Sequence, residues 1–348
     1  MKKLTHPDKL IPGDKVAVLS PSFAAPAVFP AVHNQAMTRL VGETGLVPVE
    51  YATTRQLGAS PQERARDFNA ALADPEIRGI LSTIGGSDQI RLIRHLDPDL
   101  LLADPKPFLG YSDNTNILNW MWNQGVASFY GGSTQVQIGP GPRLDPEHSA
   151  SLRAALLTGD ELEVTEPGES EDFGITWEDS ACLAEFGERE LTEPWTWAGP
   201  PRKVTGITWG GCLDVLDWIA IADRFPSNED LNGAVLLLET SETLPSADMV
   251  RWWVRALGER GLLEAVAAVL FARSPASAID GEPPIAKNRE KWREARRDAV
   301  IEEVSSYNPN AVVCVGPPFG HTRPQWILPY GGQITVDGTR RQIFASYT

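Results

Sequence analysis

Short apolar runs that alternate with helix-spaced segments set the strongest limit on how this chain can fold. Lys15–Ser20 (KVAVLS), Val47–Tyr51, Gly79–Ile84 (GILSTI), Pro107–Tyr111 and Ala127–Tyr130 each read as a short buried strand. Between them, Ala31–Glu43, Pro61–Ala73, Asp88–Leu96 and Asp113–Asn123 carry helical spacing, and Ser60 is a suitable N-cap for the second of these. Strands separated by helices and joined by short loops build a mostly parallel, doubly wound sheet. The pattern therefore predicts an α/β fold whose N-terminal part is organised around such a sheet.

The same alternation resumes near Val204. Thr205–Trp209, Ala234–Leu238, Ala267–Phe271 and Ala311–Val315 read as strands, with helices over Leu213–Ala222, Ala247–Arg260 and Asn288–Ser305. Asp337-Gly338 between alternating runs signals a hairpin. Arg143–Leu157 reads as one helix. Residues 166–203 differ, being rich in Glu, Pro and Trp with little periodicity. The expected organisation is an N-terminal domain over 1–165, a Trp-rich connection over 166–203 and a C-terminal domain over 204–348. A chain of 348 residues is long enough for two such cores.

A formal net charge of −15 sets the surface against phosphate backbones, so nucleic acid is not an expected partner. Cys182, Cys212 and Cys314 form no CxxC pair and are odd in number, which argues against a disulfide framework. The opening run MKKLTHPDKLIPGDK has no apolar stretch behind its lysines, and no segment has the length and apolarity of a bilayer span. These features lead to the expectation of a cytoplasmic protein with no membrane partner. No two histidines have ligand spacing, so neither a metal nor another cofactor is expected.

Ligands of open α/β sheets bind at the carboxyl ends of the strands, and four candidates fall there. Ser112, in PFLGYSDNTN, follows a strand and precedes a helix. Its hydroxyl can project from the turn, and the Asp113 N–H can meet a developing oxyanion. The same pattern also suits an ordinary helix cap. His321, in a Gly/Pro-rich loop after a strand, is the best-placed general base of five histidines. His6 is near the terminus, His33 falls in a helix, and His95 and His148 have charged, surface-like neighbours. Glu239 follows four apolar strand residues, where a carboxylate needs a partner, and Glu242 competes with it as the acid that orients a histidine. Gly85-Gly86 lets a ligand approach the backbone closely, although a tight turn needs glycines too. No dinucleotide or phosphate-loop motif is present. A serine, an acid and a histidine in that chain order, each at a strand end, suit acyl transfer.

Ile11–Ser22 (IPGDKVAVLSPS), Ile84–Asp88 (IGGSD), Phe108–Asn114 (FLGYSDN), Gly210–Leu213 (GGCL), Leu236–Glu242 (LLLETSE) and Phe319–Pro324 (FGHTRP) occur in this order. Over nearly its whole length the chain thus resembles the LD-carboxypeptidase family of serine peptidases. The resemblance implies a flavodoxin- or Rossmann-like N-terminal domain, a smaller C-terminal α/β domain with barrel character, and a homodimer. It implies a triad of nucleophile Ser112, acid Glu239 and base His321, an oxyanion hole from the Gly86 and Asp113 N–H groups, and no metal. One branch of the family trims murein tetrapeptides. A second resembles the microcin C self-immunity protein, which cleaves aminoacyl-nucleotide-like compounds. The Trp-rich middle segment leans toward the second branch. There Trp177 resembles a base-stacking residue, with Phe173, Trp195 and Trp197 as further aromatics, and Gly85 and Cys212 are the remaining substrate-binding candidates. Relatives often read GGNL where this chain has Cys212, which bears on the substrate. The reading of another class is a small-molecule binding protein that returns its ligand unchanged.

Overall fold

The computed structural model describes residues 2–278 and 284–348. Its first sheet contains β1 (Lys15–Leu19), β2 (Val47–Glu50), β3 (Ile77–Ser82), β4 (Phe108–Gly110) and β5 (Ser128–Tyr130), parallel and in the order β2-β1-β3-β4-β5. This is a doubly wound order whose direction reverses between β1 and β3, and the crevice at such a point is where these sheets take ligands. The apolar runs form strands because helices cover both faces. Val16–Leu19 and Gly79–Ser82 are buried throughout. Pro61–Ala73 begins where the sequence predicts. The Ser60 side chain accepts from the Glu63 N–H, and the Glu63 carboxylate accepts from the Ser60 N–H.

The second sheet has eight strands and mixed direction. It comprises β6 (Glu161–Val164), β9 (Thr196–Ala198), β10 (Lys203–Cys212), β11 (Val235–Glu239), β12 (Ala268–Phe271), β13 (Val312–Val315), β15 (Gln333–Asp337) and β16 (Gln342–Ser346). Their order is β6-β16-β15-β10-β11-β12-β13-β9. The long strand β10 is the seam. Lys203–Ile207 pairs antiparallel with β15, whereas Thr208–Cys212 pairs parallel with β11. The remaining strands are β7 (Glu169–Ser170) with β8 (Glu190–Leu191), and β14 (Leu328–Tyr330).

Two strands cross between the halves. β14 runs antiparallel to β5 and completes the first sheet, although it lies near the C-terminus. β6 precedes the middle segment and pairs with β16 in the second sheet. One large apolar core runs through both sheets. Thr115–Asn123 lies in its midst, buried from Thr115 through Trp122. This helix joins the halves: Trp122 Nε1 donates to the Thr208 carbonyl at 3.1 Å, and Trp209 Nε1 donates to Asn119 Oδ1 at 3.1 Å.

Two expected helices change. Asp88–Leu96 is not one helix but two 3₁₀ turns, Gln89–Arg91 and Ile93–His95. The Gln89 side chain is drawn to Asn114 and the Ile117 N–H, and its backbone N–H goes to Asp113, so the helical ladder is interrupted. Arg143–Leu157 starts later, as the helix Pro146–Arg153 with a wider π turn over Ala154–Thr158. The middle segment is anchored through much of its length. β9 pairs with β13, Trp195 is buried in the core, and Arg273 and Arg293 each pair with Asp172, Glu190 and Glu193 at 2.6–3.1 Å. Among the described residues no helix is long and apolar enough to cross a membrane.

Gly211 sits at φ +134°, where a side chain is strained, and a Cβ there would collide with Thr115. Gly211→Ala is expected to destabilise the protein by about 2–3 kcal/mol in urea unfolding. Gly42 lies within the helix Pro30–Thr44 with open space around it. Gly42→Ala should instead be neutral or stabilising by up to about 1 kcal/mol.

Candidate active site

Ser112 leaves β4 in a left-handed conformation, φ +62°, that costs a non-glycine residue of order 1–3 kcal/mol. Hydrogen bonds brace the turn from behind. Asn114 Nδ2 donates to the Tyr111 carbonyl at 3.0 Å and Gln89 Nε2 to Asn114 Oδ1 at 2.8 Å. The side chain of Asp113 faces inward and is fully buried. It accepts from the Ser22 hydroxyl at 2.6 Å, the Gln89 N–H at 3.0 Å and Asn116 Nδ2 at 3.0 Å. Burial pushes its carboxyl pKa up, against the pull of the Ser22 and Gln89 bonds.

The loop after β3 lies against this turn. A Cβ on Gly85 would come within 2.9 Å of Ser112 Oγ and 3.2 Å of the Asp113 N. Only a glycine leaves the hydroxyl that room. The Gly85 carbonyl accepts from the Phe23 N–H, which ties in the loop after β1. A side chain at Gly86 would strike Ser22. Neither the Gly86 nor the Asp113 N–H has an acceptor among the described residues. Two unpaired amides beside a projecting hydroxyl can receive an anionic oxygen.

The second sheet contributes an acid, and the loop that leaves it after β13 contributes a histidine. Glu239 ends β11 and is completely buried. One carboxylate oxygen accepts from the Tyr130 hydroxyl of β5 at 2.6 Å, and the other lies 2.6 Å from His321 Nδ1. Of the two acids weighed for orienting His321, Glu239 therefore takes Nδ1. Glu242 lies 3.2 Å from Nε2, as an ion pair without hydrogen-bond alignment. The Tyr111 ring meets the imidazole edge-on at 4.9 Å between centroids, which puts His321 beside the Ser112 turn. No hydrogen bond joins Ser112 Oγ to His321 among the described residues. Burial of the ring works against protonation. The charge and hydrogen bond of Glu239, with the charges of Glu242 and Asp214 behind it, outweigh burial and raise the His321 pKa to about 9. Burial, and then the charge of Glu239, push the Tyr130 phenol pKa far up, so it remains a donor.

Cys212 is fully buried and packs on Val215 and Ile219. Its thiol lies 3.4 Å from Asp214 Oδ2, while its N–H donates to Thr115 Oγ1, tying β10 to the helix behind Ser112. Trp177 is half-buried outside the core, edge-on to Phe29 at 5.3 Å. Phe173 is half-buried, and Trp197 packs on the core from β9. The surface-like context of His148 misleads. The residue is buried, its Nδ1 lies 3.1 Å from the Gln325 carbonyl, and burial brings its pKa down to about 4. Sequence reasoning did not single out Tyr130, Tyr111 or Ser22. Each sits at or just past the carboxyl end of a strand, the signal that marked the other candidates. Among the described residues, no group of three or more His, Cys, Asp or Glu side chains is arranged to hold a metal ion.

A parallel-sheet domain carrying a sharp serine turn, joined to a mixed sheet carrying a buried Glu–His pair, is the setting of a serine hydrolase. Residues 16–131 match the LD-carboxypeptidase N-terminal domain and residues 205–336 the LD-carboxypeptidase C-terminal domain, so the chain belongs to the LD-carboxypeptidase family. It is 29% identical over 331 residues to a Vibrio cholerae protein that carries a provisional carboxypeptidase name, covering 93% of this chain and 92% of that one. It is 27% identical over 287 residues to the Microcin C7 self-immunity protein MccF of Escherichia coli, covering 81% and 77%. The fold is shared with MccF in its wild-type apo state, with a TM-score of 0.82, 24% identity and 98% of both chains covered. It is also shared with an MccF-like protein from Streptococcus pneumoniae in complex with AMP, with a TM-score of 0.82, 22% identity, and 96% and 99% covered.

The raised His321 pKa has a measurable sign. The ring gains a proton more readily in the fold than at its ordinary value of 6.5, so the Glu239 pairing contributes its full stability below that pH. The contribution fades as the pH rises toward about 9. The His321 ring signal in NMR is expected to titrate near pH 9 in the wild type and lower in Glu239→Gln. The stability gap between wild type and His321→Gln should narrow between pH 6.5 and 9.

Proposed function

We propose that this chain is a serine amide hydrolase with Ser112 as nucleophile, His321 as base and Glu239 as its orienting acid. The observation that carries this reading is the Ser112 turn, with Gly85 against its hydroxyl and the buried Glu239–His321 pair beside it. In the reaction, His321 Nε2 takes the Ser112 proton as Oγ attacks the substrate carbonyl. The tetrahedral oxyanion accepts from the Gly86 and Asp113 N–H groups. The imidazolium then gives its proton to the leaving nitrogen, and water attacks the acyl-enzyme with His321 again as base. The neutral imidazole required for the first step keeps its remaining proton on Nδ1 through Glu239. The Tyr130 hydroxyl occupies the other Glu239 oxygen, which fixes the carboxylate.

The substrate in this reading is an aminoacyl-nucleotide-like compound, cut at the amide between the amino acid and the nucleotide-like part, in a detoxifying role. Two observations support it. The MccF fold has been solved with glutamyl sulfamoyl guanosine and with aspartyl sulfamoyl adenosine. In this chain Trp177 is half-buried against Phe29, at the end of the short helix Ala25–Val28, and Phe23 just before that helix donates to Gly85. An aromatic on that side of the switch point suits a flat base. Assembly as a homodimer belongs to the same reading.

Ser112→Ala should abolish turnover with folding intact by circular dichroism, and a fluorophosphonate should label Ser112 in the wild type. Full activity in the variant, or labelling at another residue, would sink the nucleophile. A paired assay tests the substrate: an aminoacyl sulfamoyl adenosine is expected to be cleaved and a murein tetrapeptide left intact, and the reverse result would replace this reading with murein trimming. Trp177→Ala should raise KM for the nucleotide substrate about 10- to 100-fold, the worth of one stacked base, and leave kcat within about threefold.

A further inference from the structure

His321 Nε2 must accept a proton from Ser112, yet its near neighbour is a carboxylate. Glu242 Oε2 stands 3.2 Å away and has no hydrogen-bond donor among the described residues, although that oxygen is shielded from solvent. Glu239 holds the other ring nitrogen. Carboxylates only accept, so a ring between two of them suits the doubly protonated form, which cannot act as a base. Asp214 adds a third negative charge behind them and is itself bonded to the Ser241 N–H and the Thr243 hydroxyl. The other titratable groups packed here are Tyr111 on the ring edge, and Tyr130 and Cys212 around Glu239. The Glu242 side chain as a whole is 38% exposed, so a ligand can reach it.

Resting on the proposed reaction, we propose that Glu242 recognises the free α-ammonium of the aminoacyl part of the substrate, and that this pairing releases His321 for catalysis. An α-ammonium nitrogen lies two covalent bonds, about 2.5 Å, from the carbonyl carbon that Ser112 attacks. A carbonyl seated at Ser112 thus carries its ammonium into reach of the carboxylate beside Nε2. The ammonium supplies the donors that Glu242 Oε2 lacks and neutralises its charge. His321 then gives its Nε2 proton to water, and the freed lone pair takes the Ser112 proton as the Oγ–carbonyl bond forms. Glu242 is a specificity and positioning residue in this scheme. A substrate whose α-nitrogen is acylated leaves the ion pair on His321 intact.

The test uses an aminoacyl sulfamoyl adenosine and its N-acetyl form, with wild type and Glu242→Gln. Wild type is expected to prefer the free amine by about 100-fold in kcat/KM, within the range of a charge-assisted hydrogen bond. In Glu242→Gln the preference should collapse to about threefold. A wild-type measurement stands apart from the variant's folding. The alkaline rise of kcat should have a lower midpoint with the free amine than with the N-acetyl compound, because only the former displaces Glu242. Retention of the preference in a folded Glu242→Gln, or equal midpoints for the two substrates, overturns the role of Glu242 while leaving the hydrolase in place. Cleavage of a murein tetrapeptide and of neither nucleotide compound overturns the proposed substrate, and this inference with it.

Discussion

Everything at the site hangs on one buried carboxylate. Glu239 ends a fully apolar strand and is completely buried, and an isolated charge there would be prohibitively costly. It is tolerable because both oxygens are occupied, one by a phenol from the first sheet and one by an imidazole from the loop between β13 and β14. The carboxylate is therefore also a joint between the halves. Misplacing Tyr130 or His321 would leave the charge short of a partner, so the fold's stability and the alignment of the site depend on the same three groups.

The helix behind Ser112 does the complementary work. Its indole and amide groups are bonded to β10, and Thr115 at its start takes the Cys212 N–H. The serine turn is thereby referenced to the sheet that carries Glu239, and not to its own sheet alone. A left-handed serine is sustained because Asn114, Gln89 and Asp113 form a closed set of bonds beneath it. Such over-determination is what allows a strained residue to persist.

Local chemistry was legible in the sequence wherever it acts alone. The helix Pro61–Ala73 starts at Ser60 because cap and reciprocal glutamate are three residues apart. Glu239 stood out because four apolar residues precede it. The GYSD and FGHT segments, with the order of the motifs between them, carried the family. Long-range requirements were not legible. Nothing near Leu328–Tyr330 announces a partner two hundred residues earlier, and Tyr130 has no neighbour in sequence that hints at Glu239. His148 looked exposed because Pro146, Glu147 and Ser149 surround it in sequence, but its helix turns the imidazole inward to the Gln325 carbonyl. Asp88–Leu96 had helical spacing, yet Gln89 is worth more as a brace for the serine turn than as a link in a helix.

The exchange of strands between the halves carries a consequence for how the molecule is made. As the chain leaves a ribosome, the first five parallel strands emerge early, but β5 presents an unpaired edge until Leu328–Tyr330 follows. Open edges of this kind invite pairing with other chains. β6 likewise waits for β16, which is made long after it. Neither half is finished until these late strands arrive, so a nascent chain stalled before residue 328 would hold a nearly assembled serine turn in a molecule still open to aggregation.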